Sequence, residues 1–195
     1  MTAVLGYALL GLLARGPLSG YDITGQLKHG VGPFWHARHS QIYPELARLE
    51  ADGLVRHKRV AQHDRPDKKV FAVLPAGRVA LADWVVSPLH TEPIRDELTL
   101  RAYSVWLADR GAAAVVFRAQ EQQHLLQLAR YEQIRVELEQ VDGTRIYEAS
   151  APEFARYATL QRGLAHEREL AAWCGWMADA LGSPSDVRPT SDAST

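Results

Sequence analysis

The sequence predicts a mainly α-helical protein, in which three short helices and a two-stranded β-hairpin precede two long helices. Three observations support this fold class. Apolar residues recur at helical spacing through the first third of the chain. Two short runs rich in Val and Phe, residues 54–60 and 69–74, then flank a polar turn. Residues 111–141 and 153–181 finally carry apolar side chains three and four positions apart, as long helices do.

The first two helices are marked by the residues that begin and end them. Leucines at helical spacing predict a helix over residues 3–15, which Gly16 and Pro17 end. Ser19 can cap a second helix over residues 20–29, and the glycines and proline of GVGPFW break it.

A third helix begins at Ser40 or Gln41, and one of its faces is apolar. On a helical wheel Ile42, Leu46 and Leu49 lie within about 60° of one another, so they are expected to face the core.

The opposite face of this helix is polar and carries a proline. It is formed by Gln41, Pro44, Arg48 and Ala51, and Pro44 is expected in the first turn, where a missing N–H costs little. Gly53 is expected to end the helix in a left-handed conformation. The question is what this outward face touches.

The two Val- and Phe-rich runs predict strands that form a hairpin, joined by the turn AQHDRPDKK. A fourth helix is expected from Pro75, facing inward through Val79, Leu81 or Ala82, and Val85 or Val86. Three helices followed by a hairpin form a winged helix-turn-helix, in which the third helix enters the DNA major groove and the hairpin, or wing, rests on the adjacent backbone. Gln41 and Arg48 would then offer donors to base edges or phosphates.

Charge is unevenly distributed in a chain whose net charge is −1. Residues 1–87 hold eleven Lys or Arg against seven Asp or Glu, whereas residues 88–195 hold eleven against sixteen. The excess positive charge lies within residues 54–69, which carry six basic and two acidic residues. On composition alone such a run is more often a solvated surface, but its place after a proline-bearing helix favours contact with a polyanion.

Other classes of function find little support. One cysteine, Cys174, excludes an intramolecular disulfide and favours the cytoplasm, and its apolar surroundings predict an inert thiol. The apolar N-terminal run is too short to cross a bilayer and has no basic flank of a signal peptide. His36 and His39 lack further ligands for a metal, and Gly30-Val31-Gly32 before Pro33 matches no nucleotide-binding loop. We therefore expect neither a cofactor, a metal site, an enzymatic activity nor a membrane association.

The order of the motifs LSGYDI, GPFW, HSQIYPELARLEADGLV and RPDKKVFAVLPAGRVAL resembles the PadR family of winged-helix transcriptional regulators over residues 4–84. RDELTLRAY, residues 95–103, and the two long helical stretches resemble the helical C-terminal domain of its larger members. We expect a winged-helix domain over residues 1–87, a helical dimerisation domain over 88–182, and a disordered tail over 183–195 that is rich in Ser, Thr, Asp and Pro.

The resemblance implies a homodimer that binds double-stranded DNA at an inverted-repeat operator and represses transcription. The positions that match the family's DNA-facing residues are Tyr21, Ser40, Gln41, Tyr43, Pro44 and Arg48 around the second and third helices, and Arg65, Lys68 and Lys69 in the wing. Either tyrosine could instead pack against the core. The rival hypothesis is a winged-helix module that binds a protein, for which an apolar or mixed wing would be expected.

The long helices carry candidate dimerisation residues, namely Leu125, Leu128, Leu170, Trp173 and Met177. Their apolar seam must be covered, either within the chain by a two-helix pair or by a second subunit. Some members of the family release DNA when they bind a small aromatic molecule, and Trp106, Trp173 and Trp176 are candidates to stack on such an effector, although tryptophans at helical spacing are more often core residues.

Overall fold

The computed structural model of the chain describes residues 3–29, 39–61, 67–89 and 95–183. It divides into two compact units, residues 1–92 and 93–195. Arg65, His36, the GPFW loop and all of the predicted tail except Ser183 lie outside the described residues.

Three helices build the core of the first unit: α1 (Val4–Leu13), α2 (Gly20–His29) and α3 (His39–Ala51). α2 has the predicted bounds, whereas α1 is shorter than expected at both ends. The buried apolar residues that these helices bring together are Leu9, Leu10, Leu12, Leu13, Ile23, Leu27, Ile42, Leu46 and Leu49. The predicted inward face of α3 is thereby confirmed.

The start of α2 is fixed by a reciprocal pair of hydrogen bonds. The Asp22 N–H donates to Oγ of Ser19 over 3.2 Å, and the Ser19 N–H donates back to the Asp22 carboxylate over 3.1 Å. Ser19 therefore caps α2 as expected, in the arrangement of a capping box. Hydrogen bonds from the Ser19 side chain and backbone lower the pKa of the Asp22 carboxyl.

The expectation that Pro44 lies in the first turn of its helix is wrong. α3 begins at His39, so Pro44 is its sixth residue and lies inside the helix. A proline there has no N–H to donate to the carbonyl of Ser40, four residues earlier. Because α3 starts earlier than expected, the hydrogen bond that Pro44 cannot make is missing from inside the helix, on its outward side.

α3 ends as predicted at Gly53, which has a φ of 70°. The Leu54 N–H donates to the carbonyl of Leu49 over 2.9 Å, and the Gly53 N–H donates to that of Glu50 over 3.0 Å. This pair of bonds is a Schellman motif, and it turns the chain directly into the first strand of the hairpin.

Among the described residues, one antiparallel sheet is formed by β1 (Leu18–Ser19), β2 (Val55–Val60) and β3 (Lys68–Val73), in the order β1-β3-β2. β2 and β3 are the two predicted strands, whereas β1 is too short to be recognised from an alternating pattern. Val55 and Phe71 are buried and join the sheet to the core of the first unit.

The inward face expected for α4 (Pro75–Val85) is confirmed at Leu81 and wrong at the valines on either side of it. Val79 and Val85 are exposed, whereas Gly77 is buried, Leu81 packs on the core and Trp84 stacks on Tyr7 with ring centroids 4.6 Å apart. A Cβ at position 77 would lie 2.2 Å from the carbonyl oxygen of Leu54. The close approach of the helix backbone at Gly77 therefore decides which side of α4 faces inward.

The second unit is helical, with α5 (Glu97–Tyr103), α6 (Arg110–Asp142) and α7 (Pro152–Gly182). α6 and α7 pack against each other over most of their lengths. Two apolar clusters lie between them, one around Tyr131, Leu138, Leu160 and Leu164 and one around Phe117, Met177 and Ala178. Leu98 and Ala102 of α5 pack on the second cluster.

Candidate nucleic-acid interface

The outward face of α3 is accessible where the sequence predicts it. Ser40, Gln41, Tyr43 and Pro44 are exposed, and Arg48 has 34% of its side chain accessible. This face begins at the N-terminal end of the helix and continues along it, so it is suited to insertion into a groove with its first turns foremost.

The two candidate tyrosines have different surroundings. Tyr21, in the first turn of α2, is 85% exposed and does not pack in the core. The ring of Tyr43 lies against the backbone of Gly20, where an added Cβ would be 2.4 Å from the tyrosine hydroxyl. Tyr43 is therefore both partly exposed and in contact with the start of α2, and a Cβ at position 20 would have to displace its ring.

Arg48 lies at the middle of the outward face and is held by two carboxylates, one within α3 and one directly after its end. Its Nε donates to Glu45 over 3.0 Å and its Nη2 to the other oxygen of the same carboxylate, while Nη1 donates to Asp52 over 3.2 Å. The hydrogen bonds with Glu45 raise the pKa of Arg48 further, so the guanidinium remains charged. Three of the five N–H donors of an arginine are thus engaged by these two carboxylates.

The wing, β2 and β3, concentrates positive charge on both of its faces. Arg59 lies directly opposite Lys69 in the register of the strands, and Lys58 and Lys68 lie diagonally on the other face. All four side chains are exposed. Because like charges directly opposite each other destabilise a sheet, this arrangement opposes the stability of the hairpin and favours contact with an anion.

Glu50 connects α3 to the wing. The backbone N–H of His57 in β2 donates to Oε1 of Glu50 over 2.8 Å, and Nδ1 of His57 lies 2.7 Å from both carboxylate oxygens. Since an ionised carboxylate only accepts, Nδ1 carries the proton in these contacts. The imidazole also packs at a tilt on Phe71, with ring centroids 5.6 Å apart.

The charge state of Glu50 follows from these contacts. Partial burial raises the pKa of the carboxyl, but the hydrogen bonds from His57 and the charges of His57 and Lys69 outweigh it, and the net pKa is lowered. Glu50 is therefore ionised at neutral pH and holds the C-terminal end of α3 against β2, the first strand of the wing.

The structure places the predicted DNA-facing residues in two groups within the first unit. Ser40, Gln41, Tyr43, Pro44 and Arg48 share α3, Tyr21 is on α2, and Lys68 and Lys69 begin β3. Arg56, Lys58 and Arg59 belong to the basic run of the sequence but are not among the predicted contacts. The alternation of β2 places Arg56 and Lys58 on the face that carries Lys68, and a period-two reading of the strand could have identified them.

The candidate dimerisation residues are divided between the inside and the outside of the α6–α7 pair. Met177 is buried against Phe117, and Trp173 meets the same phenylalanine edge-on with centroids 5.7 Å apart. Leu128 packs on the other cluster, Leu170 is half-buried, and Leu125 is exposed. Most of the predicted seam is thus covered within the chain, and Leu125 is the predicted residue that remains accessible.

The three candidate effector-binding tryptophans also differ. Trp106, which follows α5, is 77% exposed, and Trp176 on α7 is 63% exposed. Trp173 is engaged with Phe117 in the second cluster. A polar pair lies elsewhere between the long helices, where Nδ1 of the half-buried His124 is 2.7 Å from Oε2 of the buried Glu167.

Each of the two units matches the model of a known protein family. Residues 9–83 match the transcriptional regulator PadR-like family, and residues 94–182 match the virulence activator alpha C-terminal family. The negative transcriptional regulator PadR of Bacillus subtilis is 35% identical over 176 residues, which cover 87% of this chain and 93% of that protein. The chain belongs to the PadR family. It is accordingly a transcriptional regulator with a winged-helix fold and a helical C-terminal region, as the sequence predicts.

Solved structures agree with this membership. The structure of Bacillus subtilis PadR in complex with operator DNA superposes with a TM-score of 0.80 at 32% identity, covering 92% of this chain and 99% of that one. The same regulator in complex with p-coumaric acid gives a TM-score of 0.71 at 30% identity, covering 93% and 97%. The virulence activator AphA of Vibrio cholerae shares the fold at 23% identity, with a TM-score of 0.67 over 91% and 97% of the two chains.

Two further properties concern the described residues only. None of their helices combines the length and the apolar character needed to span a bilayer. Within the same ranges, no three His, Cys, Asp or Glu side chains lie close enough together to hold a metal ion.

Proposed function

We propose that this PadR-family regulator binds double-stranded DNA as a homodimer at an inverted-repeat operator and represses transcription there. α3 would enter the major groove and the wing would contact the flanking backbone. The observation that supports this most strongly is the presence of an exposed helix face beside a wing in which the cations Arg59 and Lys69 lie directly opposite each other. The operator complex of Bacillus subtilis PadR, a relative at 32% identity, supports the same assignment.

The proposal of a homodimer rests on apolar surface that the α6–α7 pair leaves uncovered. Val115, Leu125 and Leu126 on α6 are exposed, as is Trp176 on α7. A water-exposed apolar strip on a long helix is a candidate for burial against a second subunit. A two-fold protein would place two copies of α3 at a spacing of about one turn of DNA, which an inverted repeat requires.

The proposed effector is a small aromatic molecule. The exposed indoles of Trp106 and Trp176 are available for stacking, and the p-coumaric acid complex of Bacillus subtilis PadR supplies the chemical class to try first. Titration with p-coumaric acid should quench tryptophan fluorescence and release bound DNA. Trp106→Ala and Trp176→Ala should reduce the quenching, and undiminished quenching in both variants would place the ligand elsewhere.

The DNA-binding proposal is tested by measuring affinity for the promoter DNA of the protein's own gene across a salt series, beside a scrambled duplex. Specific and salt-sensitive binding is expected, with the promoter bound far more tightly than the scrambled duplex. Equal and weak binding to both duplexes would count against operator binding at that promoter. A pull-down for protein partners would then test the winged-helix interaction module instead.

A further inference from the structure

The central cation of the outward face of α3 is not presented as a bare positive charge. Arg48 is the only Lys or Arg in α3, and it forms a group with Glu45 and Asp52 whose formal net charge is −1. A phosphate that approached Arg48 would therefore meet two carboxylates as well. In this respect Arg48 differs from the wing cations, whose nearest cross-strand neighbours include further cations.

The two carboxylates hold Arg48 differently. Glu45 has only 12% of its side chain exposed and engages the guanidinium through both oxygens, from the Nε side. Asp52 is 48% exposed and takes a single bond from Nη1. Glu45 is thus a fixed support beneath the guanidinium, whereas Asp52 is a solvent-facing acceptor that can be exchanged for another acceptor.

This geometry suits a base edge better than a phosphate. Bidentate donation by arginine to O6 and N7 of guanine is the commonest specific contact in the major groove. It requires a guanidinium whose plane is held, and Glu45 supplies that hold through two parallel hydrogen bonds. Three of the five N–H groups of Arg48 are engaged by Glu45 and Asp52, and two remain. These two, together with the N–H that Asp52 would release, are sufficient for a bidentate contact with guanine.

We propose that Glu45 is a specificity-determining residue: it orients Arg48 to read a guanine and, with Asp52, prevents Arg48 from serving as a general phosphate contact. Glu45 acts through Arg48 and is a positioning residue. The inference rests on the proposed binding of DNA through α3, and it assigns the reading of one base pair to a pair of side chains on that helix.

The test is a selection of bound sequences from a random duplex pool, performed with the wild-type protein, Glu45→Gln and Arg48→Lys. Glu45→Gln keeps the shape of the side chain and removes its charge. Asp83→Asn is the matched control, because it removes one exposed carboxylate from α4 of the same unit and leaves both carboxylates that bond to Arg48 in place. Thermal melts of all four proteins verify that each is folded.

The wild-type protein should enrich a motif that contains a G·C pair, and Glu45→Gln and Arg48→Lys should both weaken the preference at that pair. The loss should be at least about fivefold, the lower limit of what one wrong base pair costs. Glu45→Gln should also bind scrambled duplex more tightly than the wild type does, whereas Asp83→Asn should leave the motif unchanged.

Three outcomes would count against the proposals, and they differ. If folded Glu45→Gln enriches the same motif as strongly as the wild type, the role of Glu45 is refuted and DNA binding stands. If it weakens binding to every sequence equally, Glu45 has a structural role only, and the inference again fails. If the wild-type protein enriches no motif, the proposed function itself fails.

Discussion

Neutralising Arg59 should affect the stability of the fold and the binding of DNA in opposite directions. Arg59→Gln removes one of two cations that lie directly opposite each other on β2 and β3, the other being Lys69. A cross-strand pair is worth roughly 0.2–1 kcal/mol, and exposed charges fall at the lower end because water and salt screen them. The free energy of unfolding should therefore rise by about 0.2–0.5 kcal/mol in low salt.

The same substitution should weaken DNA binding in proportion to one lost phosphate contact. Each contact contributes a slope of about −0.9 to the logarithm of affinity against the logarithm of salt concentration. When the salt concentration rises from about 50 to about 200 mM, the factor by which affinity falls should therefore be about 3.5 times smaller for the variant than for the wild type. A slope that differs by much more would indicate that Arg59 supports further contacts in the wing.

The measurements are a denaturant titration in low and high salt and a DNA-binding titration across the same salt range. Arg130→Gln, an exposed arginine on α6 of the other unit, is the control for loss of one positive charge. A variant at Arg59 that loses stability and keeps the wild-type salt slope would refute the reasoning, since it would make Arg59 a structural residue that does not contact phosphate.

Further predictions concern the fold, the support of the wing and the dimer. Gly77→Ala should destabilise the first unit by at least about 2 kcal/mol, since the added Cβ would meet a backbone carbonyl. Gly25→Ala in α2, where the space around the Cβ is open, should instead stabilise the unit by about 0.5–1 kcal/mol. Thermal melts of both variants test these two expectations. The stability contributed by the Glu50 carboxylate is fully present above its ordinary pKa of 4.5 and is lost as pH falls through its lowered folded-state pKa. Glu50→Gln should therefore make the free energy of unfolding fall less steeply as the solution is acidified. An unchanged dependence on acid pH would exclude the contact of Glu50 with His57 as its source. Leu125→Glu should shift the protein to monomer in sedimentation equilibrium and lower its affinity for operator DNA while the far-ultraviolet spectrum stays unchanged; a dimer of wild-type strength would remove Leu125 from the interface.

The elements of the first unit were predictable where one local pattern decides them. The spacing of Ile42, Leu46 and Leu49 identifies the inner face of α3, and Gly53 identifies its end, because both depend on residues within two turns of each other. The inner face of α4 was predictable from apolar spacing only at Leu81. It depends on the approach of Gly77 to a carbonyl that lies 23 positions earlier in the chain, and Val79 and Val85 are left exposed by it.

The candidate interface was likewise predictable in its residues and less so in its contacts. The spacings of Glu45 and Asp52 from Arg48, three and four positions, are those of neighbours on a helix, so their pairing was accessible from sequence. The pairing of Glu50 with His57 crosses the end of a helix and the start of a strand, and no single period describes it.

The acidic residues of α3 and Asp52, which directly follows it, would be expected to repel DNA, yet each of them has a local cation or donor. Glu45 and Asp52 share Arg48, while Glu50 accepts from the backbone and ring of His57. All three carboxylates are therefore engaged with groups of the protein itself. Two of them orient the arginine that can read a base, and the third holds the wing that can contact a phosphate. Removing the charge of Glu45 should consequently change which sequences are bound, whereas removing that of Glu50 should weaken binding to all of them. Glu45 acts on a side chain that can distinguish bases, and Glu50 acts on the wing, which contacts the backbone.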